Sequence, residues 1–294
     1  MILIARVTAQ QASLRLDDGL KELFPQLSKG EIRRVIDLGG CAVNQTMVRV
    51  ASRTLREGDE IALGVMEQER FVEVKLSQEE LLYEDENYLA LNKATGINSQ
   101  RTPYQLKGTA EYAVSLYLKE QGSNEPARVI HRLDRGTSGV MFFPKHKQAA
   151  AYISDQLKVG KVEKVYWAIV ADLPDEAEWT VDAPIGKLNK FRYGVTLPGK
   201  PSVTEFRVIS TGGSHALVEA RPLTGRTHQI RVHLTHSGLP IVGDLPYGGA
   251  PAERMLLHCR SMTFRGRKGE LISAEAPVDD SFRRFAASSG LTFP

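Results

Sequence analysis

A carboxylate between two guanidinium groups, Arg132-Leu133-Asp134-Arg135, is the arrangement in this sequence best suited to chemistry. The arginines would hold Asp134 ionised and could also grip an anionic partner. Asp134 is therefore a candidate catalytic acid at a phosphate-rich substrate, or else the centre of a salt-bridged turn, because structural ion-pair networks gather the same charges. It lies in RVIHRLDRGTSGVMFFPKHK, Arg128 to Lys147. The apolar pair Val129-Ile130 before it and the run Val140 to Phe143 after it predict two buried strands joined by a loop that presents the carboxylate.

A second informative stretch is RPLTGRTHQIRVHLTHSGLPIVGDLPYGG, Arg221 to Gly249. A helix is expected from Arg226 or Thr227 to Ser237, capped by Gly238, with Thr227, Ile230, Arg231 and Leu234 along one side. Arg231 then sits on the apolar face and needs an acid or a phosphate, since removing the partner of a buried charge costs about 3 to 5 kcal/mol. Asp134 is the natural candidate. Tyr166, in the apolar strand KVYWAIVA (Lys164 to Ala171), is a core tyrosine or a substrate contact. His228, His233 and His236 fit paired-histidine metal motifs poorly and have no glutamate base between them, so hydrogen-bonding and surface roles are expected.

Other elements must position these groups. Near the amino terminus, Ser13 can cap a helix with Leu16, Leu20, Leu23 and Phe24 on one face, stopped by Pro25. Ser28-Lys29-Gly30-Glu31 has the spacing of a capping box for a second helix, ended by Gly39-Gly40. Lys29, Arg33 and Arg34 lie off its apolar stripe and form a basic face suited to phosphates. Short strands follow at Cys41 to Val43, around Met47 to Val50 and at Glu60 to Leu63, with a turn at Asn44-Gln45.

Farther on, Tyr88 to Leu91 predicts a strand, and Asn92 to Gly96 a turn carrying Lys93 near its tip. Helices are expected after Thr109 (Ala113, Leu116, Tyr117) and after the central loop (Ala149, Ile153, Gln156, Leu157). With strands at Val203 to Ile209 and His215 to Arg221, this predicts an α+β fold with a mixed, mainly antiparallel sheet. Arg254, Arg260, Arg265, Arg267 and Lys268 form a second basic region, read as a track along a nucleic-acid backbone.

Composition narrows the function classes. With 294 residues, 42% of them hydrophobic, the chain can build one large domain and one small one. A net charge of +3 confines nucleic-acid binding to local patches. Two cysteines, Cys41 and Cys259, form neither a disulfide framework nor a zinc site, and a reducing cytoplasm is expected. The apolar run in MILIARV is shorter than that of a signal peptide, and no window suggests a membrane span.

The amino-terminal helix pair and strands, LRLDDGLKELFPQLSKGEIRRVIDLGGCAVN and LREGDEIAL, resemble the S-four-like, or alpha-L, RNA-binding domain, with Gln45 where that family often has glycine. YEDENYLALNKATGI, HRLDRGTSGV, KVYWAIV, TGRTHQIRVHLTHSGLPIVGDLPYGG and LLHCRSMTF, in this order, resemble the RluA-type RNA pseudouridine synthases. The resemblance implies an RNA-binding domain with its linker at residues 1–75, a synthase domain at 76–294, and isomerisation of uridine to pseudouridine without cofactor or metal. It implies Asp134 as catalytic aspartate, Tyr166 as the active-site tyrosine that stacks on the base and assists proton removal, and Arg231 as the basic partner of the aspartate. Arg132, Arg135, His131, Arg226, His228 and Lys93, with Lys29, Arg33 and Arg34, become expected RNA contacts. Gly136, Ala94 and GINSQRTPY depart from the family's pattern near the loop. The expected partner is RNA, ribosomal before transfer RNA, with no membrane and with the protein a monomer. Two other readings stand beside this one: a non-catalytic RNA-binding or ribosome-assembly protein that keeps the fold, and a metal-dependent nuclease.

Overall fold

The computed structural model describes residues 2–64, 76–102, 107–189 and 192–294. They form two compact units, Met1–Lys75 with Gln100–Tyr117, and Leu76–Ser99 with Leu118–Pro294. The linker expected just before residue 76, and Pro103-Tyr104 of the departing stretch, lie outside the described residues.

In the first unit, strand β1 (Ile2–Arg6) is followed by helices α1 (Leu16–Leu23) and α2 (Lys29–Asp37) and by strands β2 (Cys41–Val43), β3 (Thr46–Val48) and β4 (Glu60–Gly64). The strands form an antiparallel sheet in the order β1-β4-β2-β3. Leu16, Leu20, Ile32, Ile36, Leu55 and Ile61 fill the core. The capping box at Ser28 is realised: its hydroxyl accepts the Glu31 N–H at 3.2 Å and its own N–H donates to the Glu31 carboxylate at 2.9 Å. The expected cap at Ser13 is not. Ser13 sits at φ +73 and is too far ahead of the first turn to reach its free N–H groups. Arg15 holds the N-cap position without a side-chain bond, and Asp17 and Asp18 face the positive end of the helix dipole. Asn44 and Gln45 both take positive φ, 50 and 63, as a tight two-residue hairpin demands, so Gln45 adopts the conformation that glycine would favour.

In the second unit the chain runs through β5 (Leu81–Glu84) and β6 (Tyr88–Lys93), with helix α3 (Ala110–Glu120) straddling the division. It continues as β7 (Ser138–Pro144), α4 (Lys147–Lys158), β8 (Glu163–Ala171), β9 (Glu178–Asp182), the ribbon β10 (Ile185–Lys187) and β11 (Tyr193–Val195), β12 (Val203–Gly212) and β13 (His215–Pro222). Helix α5 (Gln229–His236), β14 (Leu257–Arg265), β15 (Leu271–Glu275) and α6 (Asp280–Ser288) complete it. The large sheet has the order β5-β6-β7-β14-β8-β13-β12-β9, with β15 on β14. Only β7 and β14 pair in parallel among the described strands, so this is the mixed, mainly antiparallel α+β architecture.

Several local expectations change. Val129-Ile130 is not a strand; the loop carrying Asp134 is fed by irregular chain and leads into β7, buried at all seven positions. Helix α5 begins at Gln229, so Thr227 precedes it, and His228 at its N-cap takes the left-handed conformation, φ +57. In α3 the buried residues are Ala110, Ala113, Val114 and Leu118, so the core stripe runs beside the expected Leu116 and Tyr117.

Candidate active site

Asp134 stands between the chain leading from Leu133 and a turn closed by the Thr137 N–H, which donates to the Asp134 carbonyl at 3.0 Å. Its carboxylate is partly open, 19% exposed, and meets Arg231 on α5, whose Nη1 donates to Oδ2 at 3.0 Å. The inward arginine therefore does reach Asp134. It also has a stronger partner that the sequence reading missed. Nε and Nη2 of Arg231 donate to the two carboxylate oxygens of the buried Asp244 at 2.7 and 2.8 Å, the bidentate geometry that fixes a guanidinium most firmly. Burial alone would lower the Arg231 pKa, but Asp244, and then Asp134, raise it further, so the group stays charged.

Tyr247 completes the support. Its ring lies under the Arg231 guanidinium at 4.6 Å, and its hydroxyl accepts the Tyr193 N–H at 3.0 Å. The hydroxyl proton is then free to point at His228 Nδ1, 2.8 Å away. Burial lowers the His228 pKa, against the pull of Asp134, and favours a neutral ring. With Nδ1 accepting, the ring proton belongs on Nε2, which faces Asp134 Oδ2 at 3.7 Å.

A cleft of about 970 Å³ opens over these groups, lined by Asp134, Thr137, Tyr166, His228, Arg231 and Leu257 among others, room enough for a nucleotide. Tyr166 projects from β8, an interior strand between β13 and β14, where it pairs with Ala220 and Cys259. Burial pushes its phenol well above the usual value. Tyr166 thus presents a neutral ring to the cleft. It can cover a base face, but it is not poised as a base in the free protein.

The other expected contacts divide. His131, Arg132 and Arg226 line the cleft with the central group. Arg132 is exposed, as is Arg226, whose Nε is bonded to the Pro201 carbonyl at 3.0 Å. The His131 Nε2 accepts the Phe142 N–H at 3.0 Å, and burial pushes its pKa down to about 3, so the ring is a neutral brace for β7 and not a cationic RNA contact. Arg135 does not flank the carboxylate; its Nε donates to the Gly96 carbonyl at 2.9 Å. Lys93 is not at a turn tip. It is the last residue of β6, 1% exposed, with Nζ donating to the carbonyls of Ala94 and Ile97 at 2.9 and 2.8 Å. In the first unit, Lys29 is paired with Asp18 and Arg33 with Asp17, while Arg34 is exposed.

The second basic region is not a continuous track. Arg254 is buried and paired with Asp279 at 2.7 Å, and Arg260 is paired with Glu275 at 2.7 Å. The three helix histidines part ways: His228 joins the cleft, His233 is buried between Thr204 and the Ala183 carbonyl, and His236 is exposed. Among the described residues no group of three or more histidine, cysteine or acidic side chains is arranged to hold a metal ion. No described helix is long and apolar enough to cross a membrane.

A family model described as RNA pseudouridylate synthase matches residues 87–236, and an S4 domain model matches residues 14–61. The chain is 32% identical over 281 residues to an uncharacterized RNA pseudouridine synthase of Bacillus subtilis, YlyB, covering 92% of each chain. It is 31% identical over 310 residues to the ribosomal large subunit pseudouridine synthase C of Escherichia coli, covering 96% of this chain and 94% of that one. Among solved structures, human RNA Pseudouridylate Synthase Domain Containing 4 superimposes with a TM-score of 0.63 at 25% identity, over 73% of this chain and 94% of that one.

Proposed function

The chain belongs to the RNA pseudouridine synthase family, isomerases that turn uridine in RNA into pseudouridine, and on that premise we propose that Asp134 is its catalytic group and ribosomal RNA its substrate. One observation carries the first part. Of the carboxylates lining the cleft, Asp134 is the one that a buried arginine hydrogen-bonds, at 3.0 Å, whereas Glu163 and Glu205 are exposed. Supporting the second part, the Escherichia coli relative is named for the large ribosomal subunit and the chain carries an S4 match.

In the reaction the bond from ribose C1′ to base N1 breaks, the base turns, and C1′ rejoins through C5; the proton leaving C5 is balanced by one gained at N1. An anionic Asp134 beside C1′ offsets the positive charge that develops on the sugar, and Arg231, fixed by Asp244, sets where that anion lies. The uridine has to leave its stack to enter a cleft of this kind, and the Tyr166 ring replaces stacking that the base gives up. Arg132 and Arg226 at the cleft take phosphates on either side. The residues in hand carry this chemistry without a cofactor. A division near residue 75 is supported by the S4 match ending at residue 61 and the synthase match beginning at residue 87, although residues 100–117 group with the first unit. We place the enzyme in the cytoplasm, as a monomer; both cysteines are buried and free, as a reducing compartment allows.

The test is pseudouridine mapping of total RNA from a strain deleted for the gene, incubated with the wild-type protein or with Asp134→Asn. The reading expects new sites in ribosomal RNA that appear only with the wild-type protein. Sites in transfer RNA alone would move the substrate, and sites still formed by Asp134→Asn would remove the assignment of Asp134.

A further inference from the structure

The residues around Asp134 are tied to one neighbouring segment. Thr95 Oγ1 donates to the Gly136 carbonyl at 3.0 Å. The Gly96 N–H donates to the Arg135 carbonyl at 2.8 Å, and Arg135 Nε returns to the Gly96 carbonyl at 2.9 Å. Ser99 makes the tightest tie. Its hydroxyl donates to the Leu133 carbonyl at 2.6 Å and accepts the Leu133 N–H at 2.9 Å. Both backbone polar groups of the residue before Asp134 thus end on a single side-chain oxygen, as they would on a neighbouring strand.

Ser99 is 4% exposed and Leu133 is equally enclosed, so water does not readily take over these bonds. The segment itself is held from below, where the buried Lys93 bonds the carbonyls of Ala94 and Ile97. Leu133, Arg135 and Gly136 are therefore fixed through residues 95–99, and the Asp134 carbonyl is fixed by Thr137. What remains free is the Asp134 side chain, and Arg231 limits that.

We propose that Ser99 is a positioning residue that sets the placement of the Asp134 carboxylate by clamping both backbone groups of Leu133. The inference rests on the reading of Asp134 as the catalytic group. Without the Ser99 hydroxyl, a buried N–H and a buried carbonyl lose their partner together. The peptide shifts to find others, and the carboxylate moves relative to both Arg231 and the sugar.

The experiment compares wild type, Ser99→Ala, Ser99→Thr and Asp134→Asn on total RNA from a strain deleted for the gene, reading single-turnover pseudouridine formation, RNA affinity and the urea midpoint. Ser99→Ala is expected to lose turnover per folded molecule on the order of 10- to 100-fold, the cost of a small displacement of a reacting group, with RNA affinity close to wild type and a lowered urea midpoint, since two buried backbone groups lose their partner. Ser99→Thr, which keeps the oxygen, is expected to recover most of the turnover. A Ser99→Ala protein within about twofold of wild type beside an inactive Asp134→Asn overturns the positioning role alone, as does a loss shared equally by Ser99→Thr. An active Asp134→Asn overturns the reading of Asp134 and the positioning role with it. If Ser99→Ala does not fold, Ser99→Cys decides: its longer, weaker sulfur contacts displace Leu133 without emptying the site, and turnover at the wild-type rate overturns the clamp, whereas a loss of roughly three- to tenfold at unchanged RNA affinity supports it.

Discussion

Asp17 and Asp134 are both carboxylates held by arginine, and they differ in which charge is outnumbered. Asp17 in α1 is fully buried and meets two half-exposed arginines, Arg15 at 3.0 Å and Arg33 at 2.6 Å. Asp134 shares one buried arginine with Asp244, so two acids divide one base. The first arrangement is closed: each carboxylate oxygen of Asp17 has a partner, and the arginines keep their contact with water. The second leaves an anion only partly compensated at the wall of a cleft. The pattern Arg-Leu-Asp occurs in both places, at Arg15 and at Arg132. What separates the closed pair from the open one is the tertiary partner and the remaining exposure, neither of which the tripeptide states.

The widest separation between the two acids comes from neutralising each. Asp134→Asn is expected to lower single-turnover pseudouridine formation on the order of 10³- to 10⁴-fold while its urea midpoint stays near wild type, because Arg231 keeps Asp244. Asp17→Asn is expected to lose about 2 kcal/mol of stability, at the modest end for charge-assisted bonds since both arginines can return to water. Its turnover per folded molecule should be that of wild type. A loss of turnover in Asp17→Asn that survives correction for the folded fraction would erase the contrast.

Asp244→Asn sharpens it. Asparagine keeps the shape and one acceptor but removes the charge that holds Arg231 in place, and turnover should fall on the order of 10- to 100-fold. Combined with Asp134→Asn, the loss should be far less than the product of the two, because both act through one guanidinium. Multiplicative losses would show Asp244 acting somewhere other than through Arg231.

How much of this could be read in advance depends on how locally each feature is determined. The capping box at Ser28, the interior strand of Tyr166 and the inward direction of Arg231 follow from spacing within a few residues, and all three are present. Asp244 was not foreseen, because it comes from a loop 13 residues beyond Arg231, and an arginine on an apolar face announces only that it needs an acid. The Ala-Thr-Gly neighbours of Lys93 suggest a turn tip, yet β6 runs through it and the turn lies two residues on, at Thr95-Gly96. The carboxyl-terminal arginines looked unopposed because their acids, Glu275 and Asp279, come later in the chain and fold back. A linear charge run carries no information about such pairing.

Lys93 offers a smaller effect with a definite sign. Burial pushes its amine down to about 7, with Asp134 opposing and Arg254 reinforcing the shift. Below that pH the amine is charged both folded and unfolded, and the folded state carries the full cost of burying it. Between about 7 and the unfolded value near 10.4 the unfolded chain binds the extra proton, so stability rises with pH. Asp17 runs the other way: burial would raise its pKa, but Arg15 and Arg33 hold it below the ordinary value, so its contribution is present above about 4 and is lost as the pH falls through the folded value. Urea midpoints of wild type and Lys93→Met at pH 6 and pH 9 should therefore move apart in favour of wild type at pH 9, by on the order of 2 kcal/mol. An unchanged difference would mean that Lys93 keeps its proton throughout.

The smallest effect concerns the basic face of α2, where the contrast between closed and open charges recurs among cations. Lys29 and Arg33 are held by Asp18 and Asp17, so releasing either to a phosphate means breaking an existing pair. The exposed Arg34 guanidinium forms no ion pair among the described residues, and it reaches a phosphate without that cost. Arg34→Ala should weaken RNA binding by about threefold at low salt and flatten the salt dependence by roughly one counterion, leaving turnover at saturating RNA and the urea midpoint unchanged. Arg33→Ala should instead lower stability by removing one of the two partners of buried Asp17. If Arg33→Ala weakened binding more than Arg34→Ala and left the urea midpoint unchanged, Arg33 would be a free phosphate contact, and the closed arrangement around Asp17 would not be what holds α1 to α2.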